Sequence, residues 1–112
     1  MIFLTLFFYL IVGHMLCDHP LQGAYLAIGK NRHTAHEGTP WWQCMLAHSF
    51  IHGGAVALIT GVWWLGLLEI GAHFFIDYQK CEGKLSYNRD FLFHILCKVA
   101  WIWMWVWVVT KR

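Results

Sequence analysis

The sequence predicts an all-α, membrane-embedded four-helix up-down bundle, and three observations carry that expectation. Hydrophobic residues make up 59% of the 112-residue chain and charged residues only 12%, about half the charged share of an ordinary soluble domain. Four apolar stretches, near residues 2–18, 41–60, 62–79 and 90–109, approach the length of a membrane span. Each carries polar or ionisable residues four positions apart, a spacing that stacks side chains along one helix face.

The composition narrows the function classes first. A single small domain cannot bury eight Trp and eight Phe beside so many aliphatic residues, so the lipid bilayer is the expected solvent. A formal charge of +2 makes no electrostatic case for nucleic acid. Cys17, Cys44, Cys81 and Cys97 form no Cys-x-x-Cys pair and read as small apolar residues, not as a disulfide framework or zinc knuckle. Cys44 and Cys81 do continue two of the polar stripes, which leaves each a minor candidate for a metal.

The first helix is expected over residues 2–18. It is retained as a span because it lacks the basic start and small-residue cleavage site of a signal peptide. Pro20 disfavours helix at His19, and a short helical or interfacial segment is expected from Leu21 to Ile28. Lys30 to Pro40 is a polar loop whose His33 and His36 read as solvated. Thr39 as cap and Pro40 at the first helical position open the second long helix, which carries His48 and His52. Thr60-Gly61 marks a tight turn beside Trp63 and Trp64. The next helix bears Glu69, His73 and Asp77 on one stripe among Leu67, Leu68, Ile70, Phe74, Phe75 and Ile76. A polar turn at 80–89 leads to the last helix, starting near Asp90, with His94 and Lys98. The alternating Trp101–Trp107 run has a strand's period, but an isolated strand in lipid leaves its backbone unpaired, so helix is expected there too.

An up-down order brings the end of the first span, the start of the second, the end of the third and the start of the fourth to one membrane side. Those four segments hold His14/Asp18, His48/His52, His73/Asp77 and His94/Lys98. Imidazoles four residues from a second imidazole or carboxylate can share an ion. The expected ligands are therefore His14, Asp18, His48, His52, His73 and Asp77. The expected ion is divalent, zinc first and manganese or iron as alternatives. Glu69, two turns deeper, is expected behind the ligands as a general base, with Lys98 or Lys80 stabilising negative charge. Without a metal, the same residues read as a hydrogen-bond or proton-conducting network.

The motifs His14-Met-Leu-Cys-Asp18-His-Pro-Leu-Gln22, His48-x-x-x-His52 and Glu69-x-x-x-His73-x-x-x-Asp77-x-x-Lys80 resemble a family of small phage and bacterial polytopic membrane proteins. That family is known as a domain of unknown function, and the resemblance covers most of residues 8 to 98. More loosely, the His/Asp helices resemble bacterial inner-membrane metal-dependent hydrolases, which are larger. The resulting expectation is a metal-dependent integral-membrane hydrolase acting on a lipid-linked or phosphate-bearing substrate, a divalent ion serving to activate water near neutral pH. The alternatives are a non-enzymatic phage membrane protein that binds a host membrane partner, and a haem or proton carrier. Lys30, Arg32, Lys80, Lys84 and Arg89 put the polar end toward the cytoplasm of a bacterial inner membrane by the positive-inside rule. An oligomer is compatible with this reading.

Overall fold

The computed structural model describes residues 1–112 as five helices and no strand: α1 (Ile2–Asp18), α2 (Gly23–Gly29), α3 (Trp41–Thr60), α4 (Trp63–Cys81) and α5 (Tyr87–Thr110). The four long helices pack in a closed ring, α1 on α3, α3 on α4, α4 on α5 and α5 on α1. The short α2 lies across one end against α3, bent 83° from α1. Pro20 accounts for the break, because it disfavours helix in the residue before it. Gln22 Nε2 donates to the freed carbonyl of Asp18 at 2.9 Å.

Two helix starts differ from the expectation. Pro40, not Thr39, is the flanking residue of α3, with an extended backbone. Thr39 is unavailable as a cap because its hydroxyl pairs with that of Tyr25 at 2.9 Å. Helix α5 starts at Tyr87, three residues ahead of Asp90, because Ser86 Oγ accepts from the Arg89 backbone N–H and satisfies an otherwise orphaned donor. At the opposite end Gly61 closes α3 with φ of 69°, a left-handed conformation that favours glycine. The Thr60 carbonyl there accepts from Trp105 Nε1 at 2.9 Å, tying the turn to α5.

The tightest crossing joins α3 and α4. A Cβ on Gly53 would stand 2.6 Å from the carbonyl oxygen of Gly66, and a Cβ on Gly66 would stand equally close to that of Gly53. Both positions therefore require glycine for the backbones to meet. The Trp run of α5 is helical and divides by face. Trp101 is buried and Trp105 reaches inward to Thr60, while Trp103 and Trp107 are 73% and 64% exposed.

The interior is layered along the bundle axis. Leu6, Leu10, Val56, Val62, Leu65 and Trp101 form an apolar core at one end. Beyond it, the same four helices bury His14, His48, His52, Glu69, His73, Asp77, Asp90, His94 and Lys98. Buried polar residues slightly outnumber buried apolar ones, eleven to ten, whereas the outside carries Leu58, Trp63, Phe75 and many other large apolar side chains. That is the reverse of a water-soluble distribution.

Only α5 is by itself long and apolar enough to cross a membrane, with mean hydropathy 1.8; α1 and α2 qualify only when the bent pair is taken together. The expectation of four such spans is corrected to that extent. The physical reason is local. Helices α3 and α4 carry His48, His52, Glu69, His73 and Asp77, which lower the average hydropathy although they face inward.

Candidate metal centre

Four helices each contribute imidazole or carboxylate to one cluster. His14 and Asp18 come from the last turn of α1, and His48 and His52 from the first half of α3. His73 and Asp77 come from the latter half of α4, and Asp90 and His94 from the first turns of α5. Four-residue spacing places each pair on the inward face of its helix. The five histidine rings are nearly inaccessible and touch one another. His52 and His73 stack at 3.7 Å between centroids, His73 and His94 at 4.3 Å, and His14 lies 5.0 Å from His94.

The donor atoms converge most closely around His48 and His73. Their Nε2 atoms are 3.1 Å apart. Asp77 Oδ2 lies 3.3 Å from the first and 3.4 Å from the second. Asp18 Oδ1 lies 3.4 Å from His48 Nε2 and 2.9 Å from His52 Nε2. One donor atom each from Asp18, His48, His52 and His73 falls within a 4.8 Å sphere of mutual distances. Ligand atoms bound at about 2.1 Å stand about 3.0 Å apart around an octahedral ion and about 3.4 Å apart around a tetrahedral one. The separations of 2.9–3.4 Å around His48 are of that size, and the four donors of this group are of the types that hold a divalent ion.

Polar satisfaction bears on His14 and Asp90, whereas the orphaned Nδ1 atoms of His48, His73 and His94 lie on the ring edge away from their converging Nε2 atoms. His14 Nε2 is 3.0 Å from Asp18 Oδ2 but off line for a hydrogen bond. Both nitrogens of His14, Nδ1 of His48, His73 and His94, and Oδ1 of Asp90 are buried without a hydrogen-bond partner. Each such atom costs about 1–3 kcal/mol if nothing binds it. Three nearby carboxylates, Asp18, Asp77 and Asp90, meet two ammonium groups: Lys30 Nζ is 2.6 Å from Asp77 Oδ2, and Lys80 Nζ is 3.6 Å from Asp90 Oδ2. The His94 imidazole, 3.0 Å from Asp77 Oδ1 and 3.3 Å from Asp90 Oδ1, faces the remaining carboxylate charge.

Glu69 and Lys98 occupy a different layer from the one a general base or an anion-binding lysine would need. Lys98 Nζ donates to Glu69 Oε1 at 2.5 Å and Trp101 Nε1 donates to Oε2 at 2.5 Å, so both carboxylate oxygens are engaged. Glu69 and Lys98 are each 1% exposed. Glu69 Oε1 also lies 3.4 Å from His73 Nδ1, behind the imidazole. Carboxylates in that position orient metal-binding histidines. Lys80 instead stands at the mouth, near Asp90 and 4.6 Å over the Tyr87 ring.

The mouth is a polar recess of about 150 Å³ whose lining includes Asp18, His19, Lys30, Asp77, Lys80 and Asp90. It opens at the end where the two polar loops meet. Arg32 forms a two-pronged contact with Glu82, 2.5 and 2.8 Å, joining the α2–α3 loop to the end of α4. The Arg32 guanidinium holds the Glu82 carboxyl down at about 2, and Glu82 raises Arg32 in return.

All six expected ligands thus lie in one cluster, and Lys80 lies at its rim. Asp90, His94 and Lys30 belong to it as well. Asp90-x-x-x-His94-x-x-x-Lys98 continues the same four-residue spacing, so its signal was present in the sequence. Lys30 had none, because only the bend between α1 and α2 brings it over Asp77. Cys44 and Cys81 lie outside every group of converging donors; Cys44 Sγ instead packs where a Cβ on Gly29 would fall. His33 and His36 stay in the loop, His33 beside Glu82 and His36 on the Tyr25 carbonyl.

A family model described as a protein of unknown function (DUF3307) matches residues 6–111. No curated protein and no solved structure matches the chain.

Proposed function

We propose that this chain, which belongs to the DUF3307 family, is a metal-dependent membrane hydrolase acting on a phosphate-bearing, lipid-linked substrate. The observation that carries the reading is the set of donor separations around His48, His73, Asp18 and Asp77, all between 3.1 and 3.4 Å. His48, His52, His73 and Asp18 would hold the ion, zinc or else manganese or iron, with Asp77 beside them. Such an ion lowers the pKa of water and polarises a phosphoryl oxygen.

The chain's own groups supply the rest. Glu69 fixes the His73 ring from behind, and Lys98 and Trp101 fix Glu69. Lys30 and Lys80 line the recess as donors for negative charge developing on the substrate. Asp18, with 28% of its side chain exposed, brings the ligand set to the floor of the recess, where a substrate can reach it. The direct stacking of His52 on His73 favours a small ion over haem, since a porphyrin needs space between its axial imidazoles.

Membrane residence is part of the proposal. It is supported by the apolar exterior and polar interior, and by a long axis of 48 Å, beyond the roughly 30 Å of a hydrocarbon core. Lys30, Arg32, Lys80, Lys84 and Arg89 support, by the positive-inside rule, a recess that faces the cytoplasmic side of a bacterial inner membrane. A lipid-linked phosphate would then reach it from the headgroup layer.

Elemental analysis of the detergent-purified protein, combined with melting with and without chelator, tests the metal. Stoichiometric metal is expected, with a chelator-dependent fall in melting temperature that Asp77→Asn largely removes. Release of phosphate from a lipid phosphate, abolished by His73→Ala, tests the reaction. Metal-free protein whose melting ignores chelator would instead support a closed histidine–carboxylate network.

A further inference from the structure

The two oxygens of Asp77 face different partners. Oδ2 lies against His48 and His73, as described. Oδ1 lies 3.0 Å from His94 Nε2. His94 Nε2 is in turn 3.3 Å from Asp90 Oδ1, and Asp77, Asp90 and His94 form a separate group of converging donor atoms. These distances again match the edges of a coordination polyhedron, about 3.0–3.4 Å. Asp90 Oδ1 is buried and has no hydrogen-bond partner, and its side chain is only 8% exposed. That oxygen has only the His94 imidazole beside it, at 3.3 Å, and keeps capacity for a further ligand.

We propose that His94, Asp90 and Asp77 Oδ1 bind a second divalent cation, so that Asp77 bridges two ions. This rests on the metal reading above and extends it from one ion to two. His14 lies between the two positions, its ring 4.9 Å from His52 and 5.0 Å from His94, and one nitrogen each from His14, His73 and His94 converges as a third group. Lys80 lies 3.6 Å from Asp90 Oδ2, leaving Asp90 Oδ1 to the interior; Lys30, 2.6 Å from Asp77 Oδ2, shares that oxygen with His48 and His73 and leaves Asp77 Oδ1 to His94.

The second ion specifies the substrate class. Two divalent ions with Lys30 and Lys80 outweigh the charge of Asp18, Asp77 and Asp90, making the recess strongly positive. A terminal phosphate or diphosphate, carrying two or more negative charges, is the group that neutralises it. Paired ions about 3.5–4 Å apart can clamp both the attacking and the leaving oxygen of such a group.

Metal stoichiometry and manganese spin resonance test this in the intact detergent-purified protein. Two ions per wild-type chain are expected, with an exchange-coupled manganese signal. Asp90→Asn, which keeps size, and His94→Gln should each reduce this to one ion with an isolated manganese spectrum. His48→Ala should weaken the other position. Circular dichroism establishes that each variant is folded, and Asp90→Asn serves if His94→Gln is not. One ion in wild type, unchanged by Asp90→Asn, overturns the second site while leaving the single-ion reading intact. No ion in wild type overturns both.

Discussion

Replacing Lys98 with Met should be among the most damaging single substitutions in the chain, although the residue is proposed to touch neither metal nor substrate. Lys98 and Glu69 are each 1% exposed, and their charges meet at 2.5 Å. Removing the ammonium leaves the carboxylate with Trp101 Nε1 and the edge of His73 as partners, in a layer that borders the apolar core. Breaking a buried pair from one side costs about 3–5 kcal/mol, because the remaining charge is uncompensated. For a chain of this length, that corresponds to a fall in melting temperature of about 12–20 °C. The Glu69→Gln/Lys98→Met double substitution removes both charges and keeps an amide oxygen for Trp101. Reversible unfolding of the four proteins in detergent measures the coupling, expected near the upper end of about 0.5–3 kcal/mol. Single substitutions costing under about 1 kcal/mol, as at solvent-exposed pairs, would refute the reasoning. So would losses that add within about 0.5 kcal/mol.

Two further outcomes can be checked on the same purified protein. Gly53→Ala should lose about 1–3 kcal/mol by forcing α3 away from the Gly66 carbonyl. Gly54→Ala, which meets nothing within 4 Å, should be neutral or stabilising by up to about 1 kcal/mol; equal effects in denaturant titrations would contradict the proposed crossing. The Arg32–Glu82 contact should be pH-sensitive in a stated direction. Because Glu82 is held down at about 2 in the folded chain, its stabilisation is fully present above the ordinary carboxylate range and is lost as pH falls through about 2. Arg32→Gln should abolish that part of the acid-unfolding profile, and an unchanged profile would show that the contact contributes nothing.

The sequence by itself determined the helical class and the inward stripes, because both are matters of local spacing. Four-residue intervals between His14 and Asp18, His48 and His52, and Glu69, His73 and Asp77 keep each set on one face whatever the helices pack against. Turn chemistry at Pro20 and Thr60-Gly61 placed the ends of α1 and α3 for the same local reason. Tertiary structure alone decided which charges meet. Glu69 and Lys98 are separated by 29 positions, and nothing local distinguishes Lys98 pairing with Glu69 from Lys98 facing a substrate. Only the α4–α5 contact commits the pair to the interior, making Glu69 a positioning residue. The bend after Asp18 likewise carries Lys30 to Asp77, across 47 positions. Average hydropathy does not distinguish a polar residue turned inward from one turned outward. Helices α3 and α4 therefore fall short of a span by composition while presenting an apolar outer face. That distinction depends on side-chain direction, which is set when four helices close around one polar core.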